Sequence, residues 1–133
     1  MMILFRIPRR WRIALLSVYW AVAFGMTHTP GGDIDLVPSF LTDTAMHALG
    51  YCILGGLSIW VLAASRPRLM GTTILAAYAG LLAYGAIDEW TQPLVNRSCE
   101  LSDWIADAAG AALGVLLVSR FVAWYSTRAA AQA

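Results

Sequence analysis

Three short clusters of polar residues interrupt an otherwise apolar chain, and each carries groups able to move protons or hold a charged ligand. Asp43, His47 and Tyr51 recur at intervals of four residues, a spacing that aligns them on one face of a helix. Asp88 and Gln92 share a face in the same way, with Glu89 beside them, and Asp103, Asp107, Gly110 and Gly114 form a third set preceded by Arg97. His47, with an ordinary pKa of about 6.5, reaches both protonation states near neutrality and suits general acid or base work, with Glu89 or Asp88 as its partner. Arg97 offers the bidentate donors that a phosphate or carboxylate needs, and Asp43, Tyr51, Gln92, Asp103 and Asp107 are placed to orient a substrate. No serine or cysteine elbow supports acyl transfer, and Cys99 has no base near it in sequence. One histidine with scattered carboxylates is not a metal-ligand signature, so no metal and no other cofactor is expected.

The elements that must position these groups follow from composition. The chain has 133 residues, 59% hydrophobic and 13% charged, with a mean hydropathy of +0.65. That exceeds ordinary globular usage and excludes both a soluble globule and a disordered chain. Four apolar runs, Trp11 to Met26, Thr44 to Ala64, Leu69 to Ile87 and Trp104 to Val118 with extension toward Tyr125, are the right length to cross a hydrocarbon core of roughly 30 Å. The expected fold is therefore an all-α membrane protein, a bundle of four transmembrane helices in a single domain over residues 1–133. Pro93 is expected to end the third helix, and Thr42 and Ser102 are candidate N-caps of the second and fourth. Gly110 and Gly114 form a GxxxG pattern that permits close helix approach, with Gly55, Gly56 and Gly80 expected to serve similarly.

There is no lysine, and eight of the nine arginines flank the runs on one side: Arg6, Arg9, Arg10 and Arg12, then Arg66 and Arg68, then Arg120 and Arg128. This places both termini in the cytoplasm, and the protein in the plasma (inner) membrane as a multi-pass chain. The tight turn Ser65-Arg66-Pro67-Arg68 predicts that the second and third helices are antiparallel neighbours. A basic start, an apolar stretch and Ala23-Phe24-Gly25 also fit a secretory signal with its cleavage site, but a retained anchor is expected. Arg97 alone lies on the outer side, together with all eight acidic residues: Asp33, Asp35, Asp43, Asp88, Glu89, Glu100, Asp103 and Asp107. Asp43, Asp103 and Asp107 fall near helix N-termini, where the dipole favours an anion. Asp88 and Glu89 fall at a helix C-terminus, where it opposes one, so helix stability does not account for them.

The ordered set Asp43-x3-His47, Asp88-Glu89-x2-Gln92 and Arg97-x5-Asp103-x3-Asp107-x2-Gly110 resembles the VanZ-like family of small membrane proteins, over about residues 43–114. Two positions depart from that family's pattern. Thr44 stands where lysine is common and Asp107 where asparagine is usual, which makes this cluster more negative, a change that either favours the protonated form of a local carboxylate or invites a divalent cation. The resemblance implies a cell-envelope setting and, as a phenotype, resistance to the glycopeptide teicoplanin.

Two functions compete for these residues. In the first, the outer ends of helices two to four act on the headgroup of an envelope lipid or glycolipid precursor at the outer leaflet. In the second, the same groups bind or sequester an envelope amphiphile or a partner protein without turnover, the latter through the loop from Thr27 to Thr42. Nucleic acid is not an expected partner, because no basic patch exists. A transporter fits poorly, since no ionisable group or broken helix falls at the bilayer midplane.

Overall fold

The computed structural model describes residues 7–30, 42–65 and 69–131. Four long helices account for most of them: α1 (Arg9–Thr27), α2 (Asp43–Ala63), α3 (Gly71–Thr91) and α4 (Leu101–Ala130), with a 3₁₀ turn at Gln92–Val95 between the last two. No strand occurs among the described residues. The loop carrying Asp33 and Asp35, and the Arg66-Pro67-Arg68 turn, lie outside them.

Each boundary has a local cause. Thr42 begins α2 as expected, its hydroxyl accepting a hydrogen bond from the Ala45 N–H at 3.2 Å. At α4 the cap is Glu100 rather than Ser102, which lies inside the first turn. Glu100 makes no side-chain cap there because its carboxylate is turned back to the Ser98 hydroxyl at 2.7 Å. Helix α3 runs to Thr91. Pro93, which has no N–H to donate, then sits at the start of the 3₁₀ turn, where an N–H would go unused. Asn96 closes that turn in the left-handed conformation, φ 60°, one of the few side chains that accept it.

Side-chain contacts fix the helix directions. Arg12 on α1 donates to the Trp60 carbonyl on α2 at 2.9 Å, and Tyr19 donates to Gly50 O at 2.9 Å, so α1 and α2 are antiparallel. Trp104 Nε1 reaches Leu82 O at 3.1 Å and the Tyr78 hydroxyl reaches Ala108 O at 3.2 Å, which sets α4 antiparallel to α3. Helices α2 and α4 run parallel and share the most extensive contact in the molecule. Helix α3 also packs against α2, but among the described residues α4 is the principal neighbour of both.

The α2–α4 contact is made by backbone. A Cβ built on Gly110 would collide with the carbonyl of Ala48, and one on Gly114 with the carbonyl of Cys52. A Cβ on Gly55 would lie 2.8 Å from Ala111 O, and one on Gly56 would lie 3.1 Å from the Val118 side chain. Ala48, Cys52 and Gly56 thus form a second small-residue series at four-residue spacing, facing the GxxxG of α4. Gly80 takes no part: it is exposed, and nothing lies within 4 Å of its would-be Cβ. Beside this seam Tyr51, Leu54, Ile59, Leu81, Ala111 and Val115 form the core.

Helices α2 and α4 are long and apolar enough to cross a membrane. The burial pattern is inverted relative to a water-soluble protein. Asp88 and Gln92 are each 1% exposed and Asp107 2%, whereas Val18 is 62% exposed, Leu75 66% and Leu117 59%.

Candidate functional site

The alternating helix directions bring the N-termini of α2 and α4 and the C-termini of α1 and α3 to one end of the bundle. The described acidic residues gather there. The close approach of Ala48 to Gly110 sets the register, because it places the preceding His47 opposite Asp107, three residues before Gly110. His47 Nδ1 lies 3.0 Å from Asp107 Oδ1 and 3.7 Å from Glu89 Oε1. All three residues are buried, and their ligand-type atoms lie within 4.8 Å of one another.

Glu89 is held from both sides. Gln92 Nε2 donates to Oε1 at 2.8 Å, and the backbone N–H of Glu100 donates to Oε2 at 2.9 Å. The last turn of α3 places Gln92 beside Glu89, and after the 3₁₀ turn that follows, the Glu100 N–H meets the same carboxylate. Gln92 was expected to act with Asp88, on the i, i+4 face of a regular helix. Its backbone is still α-helical, with the N–H bonded to Asp88 O, and the side chain takes the i−3 neighbour rather than the i−4 one, both of which lie within reach on a helix.

The expected pairing of His47 with Glu89 or Asp88 is corrected in part: Asp107 is the nearest carboxylate, Glu89 the second. Asp88 turns toward α1, where Thr27 Oγ1 donates to Oδ1 at 3.2 Å and His28 Nδ1 lies 3.7 Å away. His28 Nε2 also meets the Thr91 hydroxyl at 2.9 Å. Sequence reading did not single out Thr27 and His28. Their signal was a second histidine just after the first apolar run, part-buried where His47 is fully buried.

The outer rim of the site is reached through Asp43. Its carboxylate is exposed and accepts from Arg97 Nη2 at 2.6 Å. Arg97 therefore pairs with an exposed carboxylate rather than with Asp88, Glu89 or Asp103. Asp43, His47 and Asp103 also bring ligand-type atoms within 4.8 Å of one another, so a continuous series of polar groups leads from the Asp43–Arg97 pair inward to His47 and Asp107. Asp103 is buried and accepts from the Thr44 hydroxyl at 2.8 Å. Thr44 thus supplies a neutral donor to a buried carboxylate.

Tyr51, one turn below His47, is 6% exposed, and its hydroxyl has no hydrogen-bond partner. The Oδ2 of Asp107 is likewise buried and unpartnered. The two converge at Gly85 of α3, whose would-be Cβ lies 3.4 Å from Tyr51 Cε1 and 3.3 Å from Asp107 Oδ2. A Cβ at Gly85 would press on both residues, so the glycine lets α3 pack close to them.

No family model, curated protein or solved structure matches this chain.

Proposed function

We propose that the chain is a VanZ-like envelope protein that crosses the plasma membrane four times, with both termini cytoplasmic, and acts at the outer leaflet on the headgroup of an envelope lipid or glycolipid precursor. The observation that carries this reading is the polar series running from the exposed Asp43–Arg97 pair to the buried His47, Glu89 and Asp107. A headgroup has its charged atoms at the interface and its tails in hydrocarbon. A site with an arginine at its rim, reactive side chains one turn deeper and apolar helix flanks below matches that division. Exposed Leu15, Val18 and Val22 on α1 and Leu113, Leu116 and Leu117 on α4 supply flanks that favour lipid over water. Eight arginines flanking the other ends of the apolar runs in the sequence support the orientation. Protection against teicoplanin is the phenotype that would follow if the headgroup belongs to a cell-wall precursor.

Native mass spectrometry of protein extracted gently from its own membrane, comparing wild type with Glu89→Gln, tests the reading. Accumulation in the variant of an amphiphile that wild type carries only in altered form is the result expected of a catalyst. The same species retained unaltered by both supports the noncatalytic reading, which the internally satisfied Glu89 carboxylate favours. Loss of all bound amphiphile together with loss of stability reduces the cluster to helix registration. For orientation, a membrane-impermeant thiol reagent should label the exposed Cys99 in intact cells; labelling only after lysis reverses the topology.

A further inference from the structure

We propose that His47, Glu89 and Asp107 form a binding site for one divalent transition-metal ion of the zinc or manganese class, with the Tyr51 hydroxyl beside it. The site is built from three helices, and its register is fixed by the α2–α4 backbone contact rather than by the side chains themselves.

Distances come first. Metal bonds of about 2.0–2.2 Å to nitrogen and oxygen place neighbouring ligand atoms about 3.0 Å apart in octahedral and about 3.4 Å apart in tetrahedral geometry. His47 Nδ1 lies 3.0 Å from Asp107 Oδ1 and 3.7 Å from Glu89 Oε1, with the third separation inside 4.8 Å. Two of the three separations are already at or within a few tenths of an ångström of these values, and a swing of the Glu89 carboxylate closes the third.

Two further observations point to a ligand. Among the described residues three buried side-chain polar atoms lack a partner, and two of them, Tyr51 OH and Asp107 Oδ2, are at this site. An orphaned hydroxyl and an orphaned carboxylate oxygen at this depth are costly, and an ion with its bound water satisfies both. Glu89 is also already oriented as metal-bound carboxylates are, by Gln92 and by the Glu100 N–H.

Charge selects a cation. Asp88, Glu89, Asp103 and Asp107 are all buried at this end, against the imidazoles of His28 and His47, while Arg97 pairs with exposed Asp43. A bound dication offsets the excess negative charge in a way that hydrogen bonds from Thr27, Thr44 and Gln92 do not. The donor set then chooses among cations. One imidazole with two carboxylates suits zinc or manganese, whereas calcium requires six to eight oxygens. Binding needs no lipid, so this inference stands apart from the headgroup reading.

The test uses the full chain in detergent, stripped with a chelator and titrated with zinc or manganese alone. Manganese is followed by the loss of its free-ion paramagnetic resonance signal, with competition by zinc and a magnesium control. The expected result is one equivalent bound, displaced by zinc and not by equimolar magnesium, with affinity reduced 10-fold to 100-fold in Asp107→Asn and in Glu89→Gln. Tyr51→Phe, which preserves packing, should weaken binding less than either. Absence of stoichiometric binding in wild type overturns the proposal without reference to any variant. So does unchanged affinity in Asp107→Asn and Glu89→Gln variants that retain wild-type helicity. Asp43→Asn separates this trio from the outer one: a larger loss there than in Asp107→Asn moves the ion to Asp43, His47 and Asp103 and refutes the assignment.

Discussion

From Ala48 to Gly56, helix α2 meets α4 through bare backbone, whereas at His47, one residue earlier, the same two helices meet through ionisable side chains. In the first region an added atom at Gly110 or Gly114 would collide with the backbone of α2. The second contains His47, Glu89 and Asp107 buried together, with one orphaned carboxylate oxygen, Asp107 Oδ2, among them. The seam has the properties of a stability element: complementary surfaces in contact over two helical turns. The polar end has the properties of a site, because buried ionic groups contribute little net stability and persist where they do something else. One depends on the other, since the seam's register is what aims His47 at Asp107.

The contrast can be broken most severely at the seam. Gly114→Val should prevent α2 and α4 from docking, because even its Cβ overlaps the Cys52 carbonyl. A loss above about 4 kcal/mol is expected in reversible detergent unfolding, on the scale of a severe steric insertion. Gly80→Ala is the matched control. That position is open, so the substitution should gain up to about 1 kcal/mol from helix propensity. A similar loss in both variants would show that the seam is not what holds the bundle.

At the polar end, His47→Ala should cost about 3 kcal/mol, because it leaves Glu89 and Asp107 buried without their imidazole. Glu89→Gln keeps shape and most hydrogen bonding and should stay within about 1 kcal/mol of wild type in the same assay while abolishing the site's activity on its ligand. Equal damage to stability and function in Glu89→Gln would make the polar end a second stability element and dissolve the contrast. The smallest effect is expected at the rim. Arg97→Gln removes a pair to an exposed carboxylate and should change stability by less than about 1 kcal/mol, with ligand affinity the more sensitive measurement.

Much of the fold was legible because periodicity and apolar run length report helices directly. All four runs became helices, and Gly110 and Gly114 proclaimed their close approach. The less legible parts depend on which face meets which neighbour. Gly80 looked like the other glycines, but its face points away from every helix. Ala48 and Cys52 carry no obvious packing signal, yet they receive the two closest contacts because they face glycines across the seam. In the site, His47, Glu89 and Asp107 were all legible as polar residues at helix ends. That Asp107 stands nearer His47 than Glu89 does could not be read from spacing, since the two belong to helices 60 residues apart in sequence.

Sequence by itself determined the four helices of the described residues and the gathering of their acidic groups at one end, because hydropathy and charge position are properties of the linear chain. Tertiary structure alone decided the partners. It turned Asp88 toward Thr27 and His28, paired Gln92 with Glu89, and left Tyr51 OH and Asp107 Oδ2 buried without partners. The physical reason is that side-chain pairing depends on the rotation and depth of each helix about its neighbours. Those quantities are set by where backbones can touch, and here that was fixed by glycines some distance from the groups they align.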